Sequence, residues 1–116
     1  MLTKITLTLS ITAVVFLFAN PPSRLEAVLD STGQFLTVRA DHPTRDINKH
    51  YIKLIVIKLN DKEIISQSLA SQADAEYQDA VYKIVDAKSG DKIEAEATCN
   101  IFGSKSITII APGKNK

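Results

Sequence analysis

The sequence predicts an all-β domain, an immunoglobulin-like antiparallel β-sandwich, preceded by an N-terminal signal segment. Three observations carry that expectation. Past the N-terminal segment, apolar residues recur with a period of two, the spacing of a strand that buries one face. Turn residues interrupt these runs at roughly ten-residue intervals, as in a sandwich of about seven short strands. Strand and helix patterns do not alternate, which argues against a parallel, nucleotide-binding sheet. A chain of 116 residues has room for one domain. Its 45% hydrophobic and 23% charged residues are a globular composition.

The elements are read in order. Residues 1–19 form a signal peptide: Lys4 supplies the positive start, and residues 5–19 carry no charge. Asn20, Pro21 and Pro22 then end any helix, because proline lacks the amide donor and its ring clashes with the preceding turn. The apolar stretch is shorter than the ~20 residues of a membrane span, so length and flanks fit an export signal. Left uncleaved, the segment is a membrane anchor. In both cases the folded part is expected outside the cytoplasm, periplasmic or secreted.

The sandwich domain is expected over residues 28–111. Residues 34–40 read as a strand with Leu36, Val38 and Ala40 on one face and Phe35, Thr37 and Arg39 on the other. Residues 51–59 give the strongest strand pattern, with Ile52, Leu54 and Val56 on one face and Tyr51, Lys53, Ile55 and Ile57 on the other. Asn60 and Asp61 form a turn, since both tolerate left-handed backbone and bond their own main chain. Residues 62–69 return as the second arm of a hairpin. Residues 71–76 are polar and read as a loop or a helical turn, and 78–85 as a strand. After the Ser89-Gly90-Asp91 turn, residues 92–99 alternate: Ile93, Ala95, Ala97 and Cys99 inward, Lys92, Glu94, Glu96 and Thr98 outward. Residues 104–110 make the last strand, and 112–116 a polar tail.

Composition also narrows the function. Fourteen basic residues against thirteen acidic leave a net charge of +1, without the basic excess of a nucleic-acid binder. Three tyrosines, four phenylalanines and no tryptophan supply no row of stacking platforms for bases.

The chain holds two histidines, His42 and His50, and a single cysteine, Cys99. One cysteine cannot form an internal disulfide, so in an exported protein it is a buried inert thiol, an intermolecular bridge or a metal ligand. His42 continues the Leu36, Val38, Ala40 series, His50 opens the Ile52, Leu54, Val56 series, and Cys99 ends the series of Ile93. In a sandwich of alternating strand directions the three can share one end. Thiolate with imidazole is a ligand set for iron, copper or zinc. Each residue also has a plain reading: Cys99 as a small hydrophobe, His42 entering a turn ahead of Pro43, His50 stacked on the core. Cys99 and His50 could be drawn as nucleophile and base, but no oxyanion-hole or orienting residue accompanies them.

The segment His42-Pro43-Thr44, followed by His50-Tyr51-Ile52, resembles the HP-x…HYI pattern of the desulfoferrodoxin and superoxide reductase family. Gly90-Asp91-Lys92-Ile93-Glu94-Ala95-Glu96-Ala97-Thr98-Cys99-Asn100-Ile101-Phe102-Gly103 resembles that family's C-terminal stretch ending in C-N-x-H-G. Together the two blocks extend over residues 35–110. The resemblance implies a mononuclear non-haem iron held by four equatorial histidines and one axial cysteine thiolate. A sixth position stays open to superoxide, and an electron-donor protein is the expected partner. His42 and His50 match the paired histidines, and Cys99 matches the axial thiolate.

Phe102 stands where the family carries its last histidine, and residues 24–28 hold no counterpart of its upstream histidine. One subunit therefore offers two imidazoles and one thiolate for iron, zinc or copper, and a homodimer could supply further ligands. Two alternatives stay open. One is a metal-free, non-catalytic β-sandwich binding module in which Phe102 fills the vacated site as core. The other is a subunit like the small one of the sulfur-oxidation carrier complex, which carries similar HP…HYI residues with a longer insert.

Overall fold

A computed structural model describes residues 21–113. The expected signal segment at 1–19 and residues 114–116 of the tail lie outside the described residues. The described part is all-β. Its strands are β1 (Arg24–Leu29), β2 (Phe35–Asp41), β3 (Ile52–Leu59), β4 (Lys62–Ser68), β5 (Tyr77–Lys83), β6 (Lys92–Cys99) and β7 (Ser104–Ile110). They form two antiparallel sheets, β1-β2-β5 and β4-β3-β6-β7, the sandwich that the alternation and turn spacing predict.

β1 is the strand that sequence reading did not assign. It begins at Arg24, ahead of the expected domain start at residue 28, and pairs along its whole length with β2, from Arg24↔Asp41 to Leu29↔Leu36. Its alternation is short, and Val28 on its outer face is apolar yet exposed, so the period of two is masked.

The inner faces are dry. Leu36, Val38 and Ala40 of β2 share one core with Ile93, Ala95 and Ala97 of β6, and all six are fully buried. Between β3 and β4, Asn60 and Asp61 take φ of 47° and 70°, the left-handed pair a two-residue hairpin turn requires.

The face assignment in β3 is corrected by the structure. Ile52 is buried in the core as expected, but Ile55 and Ile57, assigned to the other face, are buried in the same core and just as fully. The cause lies in the ladder with β6. Ile52 pairs with Cys99 and Leu54 with Thr98, so Lys53 is an extra residue, and the register shifts there. Such a bulge resets the side-chain alternation and bends the strand. Leu54 and Val56 therefore lie opposite Thr98 and Glu96 on the outer face, while Ile52 keeps the face of Cys99.

Candidate metal centre

Three connections meet at one end of the sandwich: 42–51 between β2 and β3, 69–76 between β4 and β5, and 100–103 between β6 and β7. Each of the first two is bonded to its neighbour, through Gln72 N–H to Ile47 O at 3.0 Å and Thr44 N–H to Ala75 O at 2.8 Å. His42 leaves β2 with its N–H donated to Glu76 O at 2.9 Å and is only 2% exposed. The stretch from His42 to His50 folds as a turn under Asp46. The Asp46 carbonyl accepts the N–H groups of Lys49 at 3.1 Å and His50 at 2.9 Å, and its carboxylate accepts Asn48 N–H at 3.0 Å. Cys99 closes β6, opposite Ile52, and is also 2% exposed.

The structure brings His42, His50 and Cys99 together. One ligand atom from each lies within 4.8 Å of the others, and the group can hold a metal ion. The two imidazoles meet edge to face, with centroids 4.6 Å apart and an interplanar angle of 76°. An ion at about 2.1 Å from nitrogen and 2.3 Å from sulfur keeps tetrahedral donors about 3.5 Å apart. The widest pair must therefore close by about 1 Å, within the reach of small side-chain rotations. Two further features fit a metal. His50 Nε2 is sealed from solvent and has no hydrogen-bond partner, a costly state for a buried polar atom that a bound ion would relieve. Cys99 Sγ accepts the Ile101 N–H at 3.4 Å, which holds the sulfur in place at the site.

Two amide side chains brace the site, and sequence reading missed the role of both. Asn100 accepts Tyr51 N–H on Oδ1 at 2.9 Å and donates Nδ2 to Lys49 O at 2.9 Å. Its backbone N–H also donates to Tyr51 O at 2.9 Å. Asn100 thus ties the residues on either side of His50 to the end of the strand that carries Cys99. Gln72, buried in the β4–β5 connection, reaches His42 Nδ1 at 2.7 Å. Its position beside Cys99 could have singled out Asn100; nothing in the polar run 71–76 marks Gln72. Gly103 closes the loop after Cys99 with φ of 98° and its carbonyl accepts Cys99 N–H at 2.9 Å. A Cβ there would meet Pro21 at 3.0 Å, which gives the glycine of the C-N-x-x-G stretch a physical reason.

Phe102 does not enter the site. It is 59% exposed, and Ile101 beside it is 60% exposed, so the expectation that a phenyl ring fills the vacated position as core is corrected. A short loop between paired strand ends, with Sγ held inward, turns the two side chains outward. Residues 24–28 are in β1, with Leu25 buried in the core. Beside His50 an open cleft of about 730 Å³ runs between Pro43, Thr44, Arg45 and Asp46 on one side and Ala75 and Glu76 on the other.

Burial, and then the neighbouring His42 charge, lower the His50 pKa below the ordinary 6.5. The folded protein binds this proton less readily than the unfolded chain. The stability involved is fully present above the unfolded value and is lost as pH falls through the lowered one. The melting temperature of the metal-free protein is expected to decline as pH falls below the ordinary histidine value. The decline should be shallower in His50→Gln; equal slopes would remove His50 as its source.

No protein-family model matches the chain, and no curated protein matches it.

Proposed function

We propose that the chain is an exported, divergent protein of the desulfoferrodoxin and superoxide reductase type that holds one transition-metal ion, iron foremost, at His42, His50 and Cys99. One observation carries the reading. The only two histidines and the only cysteine of the sequence, far apart along the chain, offer donor atoms within 4.8 Å of one another. The HP…HYI and C-N-x-x-G stretches agree with it.

When bound, a ferrous ion supplies one electron to superoxide, which with two protons leaves as hydrogen peroxide; an electron-donor protein returns the electron. The chain's own residues prepare that chemistry. Cys99 contributes the electron-rich thiolate, and the Ile101 N–H tempers its charge. His42 and His50 would fix the ion from the β2–β3 connection, and an open cleft lies beside His50. With two imidazoles in place of four, the site holds iron less firmly than the family's full set.

The test is anaerobic loading with ferrous iron followed by oxidation. Wild type is expected to bind one iron per chain and to develop a thiolate-to-iron charge-transfer band that is absent in Cys99→Ser. Iron bound by wild type at no more than the variant's level would end the proposal.

A further inference from the structure

We propose that the loop between β6 and β7 is a membrane-docking tip, whose Ile101 and Phe102 enter the surface of a bilayer containing anionic lipid. The inference goes beyond the metal reading and does not depend on it.

Two large apolar side chains side by side in the 100–103 loop are the starting point. Ile101 is 60% exposed and Phe102 59% exposed, and water is an unfavourable surrounding for both. The loop beneath them is tied down. Asn100 N–H donates to Tyr51 O and Cys99 N–H to Gly103 O, both at 2.9 Å. An exposed apolar pair on a fixed base is the kind of surface that marks a protein or membrane contact.

The place where the chain enters the fold favours the membrane. A Cβ on Gly103 would meet Pro21 at 3.0 Å, so Pro21 packs against this loop. Ser23 N–H donates to Asp41 O at 2.7 Å and Lys105 Nζ to Ser23 O at 3.2 Å, which pins the entry between β2 and β7. Only Asn20 separates Pro21 from the charge-free run 5–19. Two steps of extended chain reach at most ~7 Å, and the polar layer of each leaflet is itself about 5–7 Å deep. A bilayer that receives the apolar run therefore has the loop in or against its polar layer.

Charge agrees with that placement. Residues 47–53 and 99–110 include Lys49, Lys53 and Lys105 and no acidic residue, and all three lysines are exposed. Lys49 adjoins the loop, since Asn100 Nδ2 donates to its carbonyl at 2.9 Å. The acidic groups of this end are turned to other tasks. Asp46 and Glu76 line the cleft, the Asp74 carboxylate accepts Glu76 and Tyr77 N–H, and Asp41 pairs with Arg39. Lysines beside an apolar tip are drawn to an anionic lipid surface.

The test reconstitutes the full chain into vesicles of phosphatidylcholine and phosphatidylglycerol with brominated acyl chains as quencher. The sequence has no tryptophan, so Phe102→Trp and, separately, Ile101→Trp each carry a single indole. Its emission is expected to shift to the blue and to lose most of its intensity. Val85→Trp puts the probe past β5, at the opposite end of the sandwich and at a position 80% exposed; it should show neither change. In phosphatidylcholine alone the quenching at 101 and 102 should weaken. Equal quenching at all three positions would overturn the proposal, as would a full chain that the vesicles do not retain. Unchanged emission at 101 and 102 in vesicles that retain the chain would also end it and leave the pair to a protein partner. Quenching undiminished in phosphatidylcholine alone would overturn the part given to the lysines.

Discussion

Zinc at a hundred times its dissociation constant is expected to raise the melting temperature of the metal-free protein by roughly 10–20 °C. An ion that binds only the folded state contributes about 2.7 kcal/mol at that ratio. In a domain of this size each kcal/mol moves the midpoint by about 4–8 °C. The premise is that the unfolded chain cannot gather the donors, because His42 and His50 lie in one connection and Cys99 at the end of β6. Zinc carries no redox chemistry, so calorimetry here reads holding alone. Cys99→Ser should cancel most of the rise. A rise of equal size in that variant would place the ion elsewhere, and no rise in wild type would remove the site.

Asn100→Ala should cost about 2 kcal/mol of stability in the metal-free protein and weaken zinc binding by about 10–100-fold. Truncation leaves Tyr51 N–H and Lys49 O without the partners they have at 2.9 Å. Each unpaired group costs about 1–3 kcal/mol when dry, and the position is half-buried, so water offsets part of the sum. The affinity loss has a separate origin. The two bonded groups flank His50, so the variant frees the ring to move away from Cys99. Denaturant unfolding and zinc titration read the two effects independently. A variant that lost stability with unchanged zinc affinity would make Asn100 a loop brace with no bearing on the metal.

The alternation that foretold β2 and β6 survives in the structure because both strands run straight along the inner faces, so every second residue is buried. The Asn60-Asp61 turn was legible because its residues meet the left-handed backbone directly. β3 was legible as a strand but not in its facing. A run of apolar residues through 54–57 reads equally well in both phases, and only pairing with β6 selects one. The convergence of His42, His50 and Cys99 was readable from strand ends and parity, although the parity argument for His50 reached the right side of the sheet by following Ile52 alone. Gln72 was not legible. It acts across thirty positions of chain through hydrogen bonds, and a polar residue in a polar loop carries no periodic signal. Phe102 was misread because substitution for a ligand suggested a buried ring, whereas the loop geometry turns it to solvent.

The bulge at Lys53 has a consequence for how this end of the domain tolerates change. The Lys53 side chain is exposed, so its identity is of little account. Its presence is another matter. Removing one residue there would force a choice between keeping Ile55 and Ile57 in the core and keeping Ile52 in step with Cys99. The strand would keep its core, and His50 would be carried to the wrong side. Position 53 therefore acts as a spacer, indifferent to substitution and intolerant of deletion. An alignment that closes it with a gap would preserve the sandwich on paper while dismantling the one place where the chain's histidines and cysteine meet.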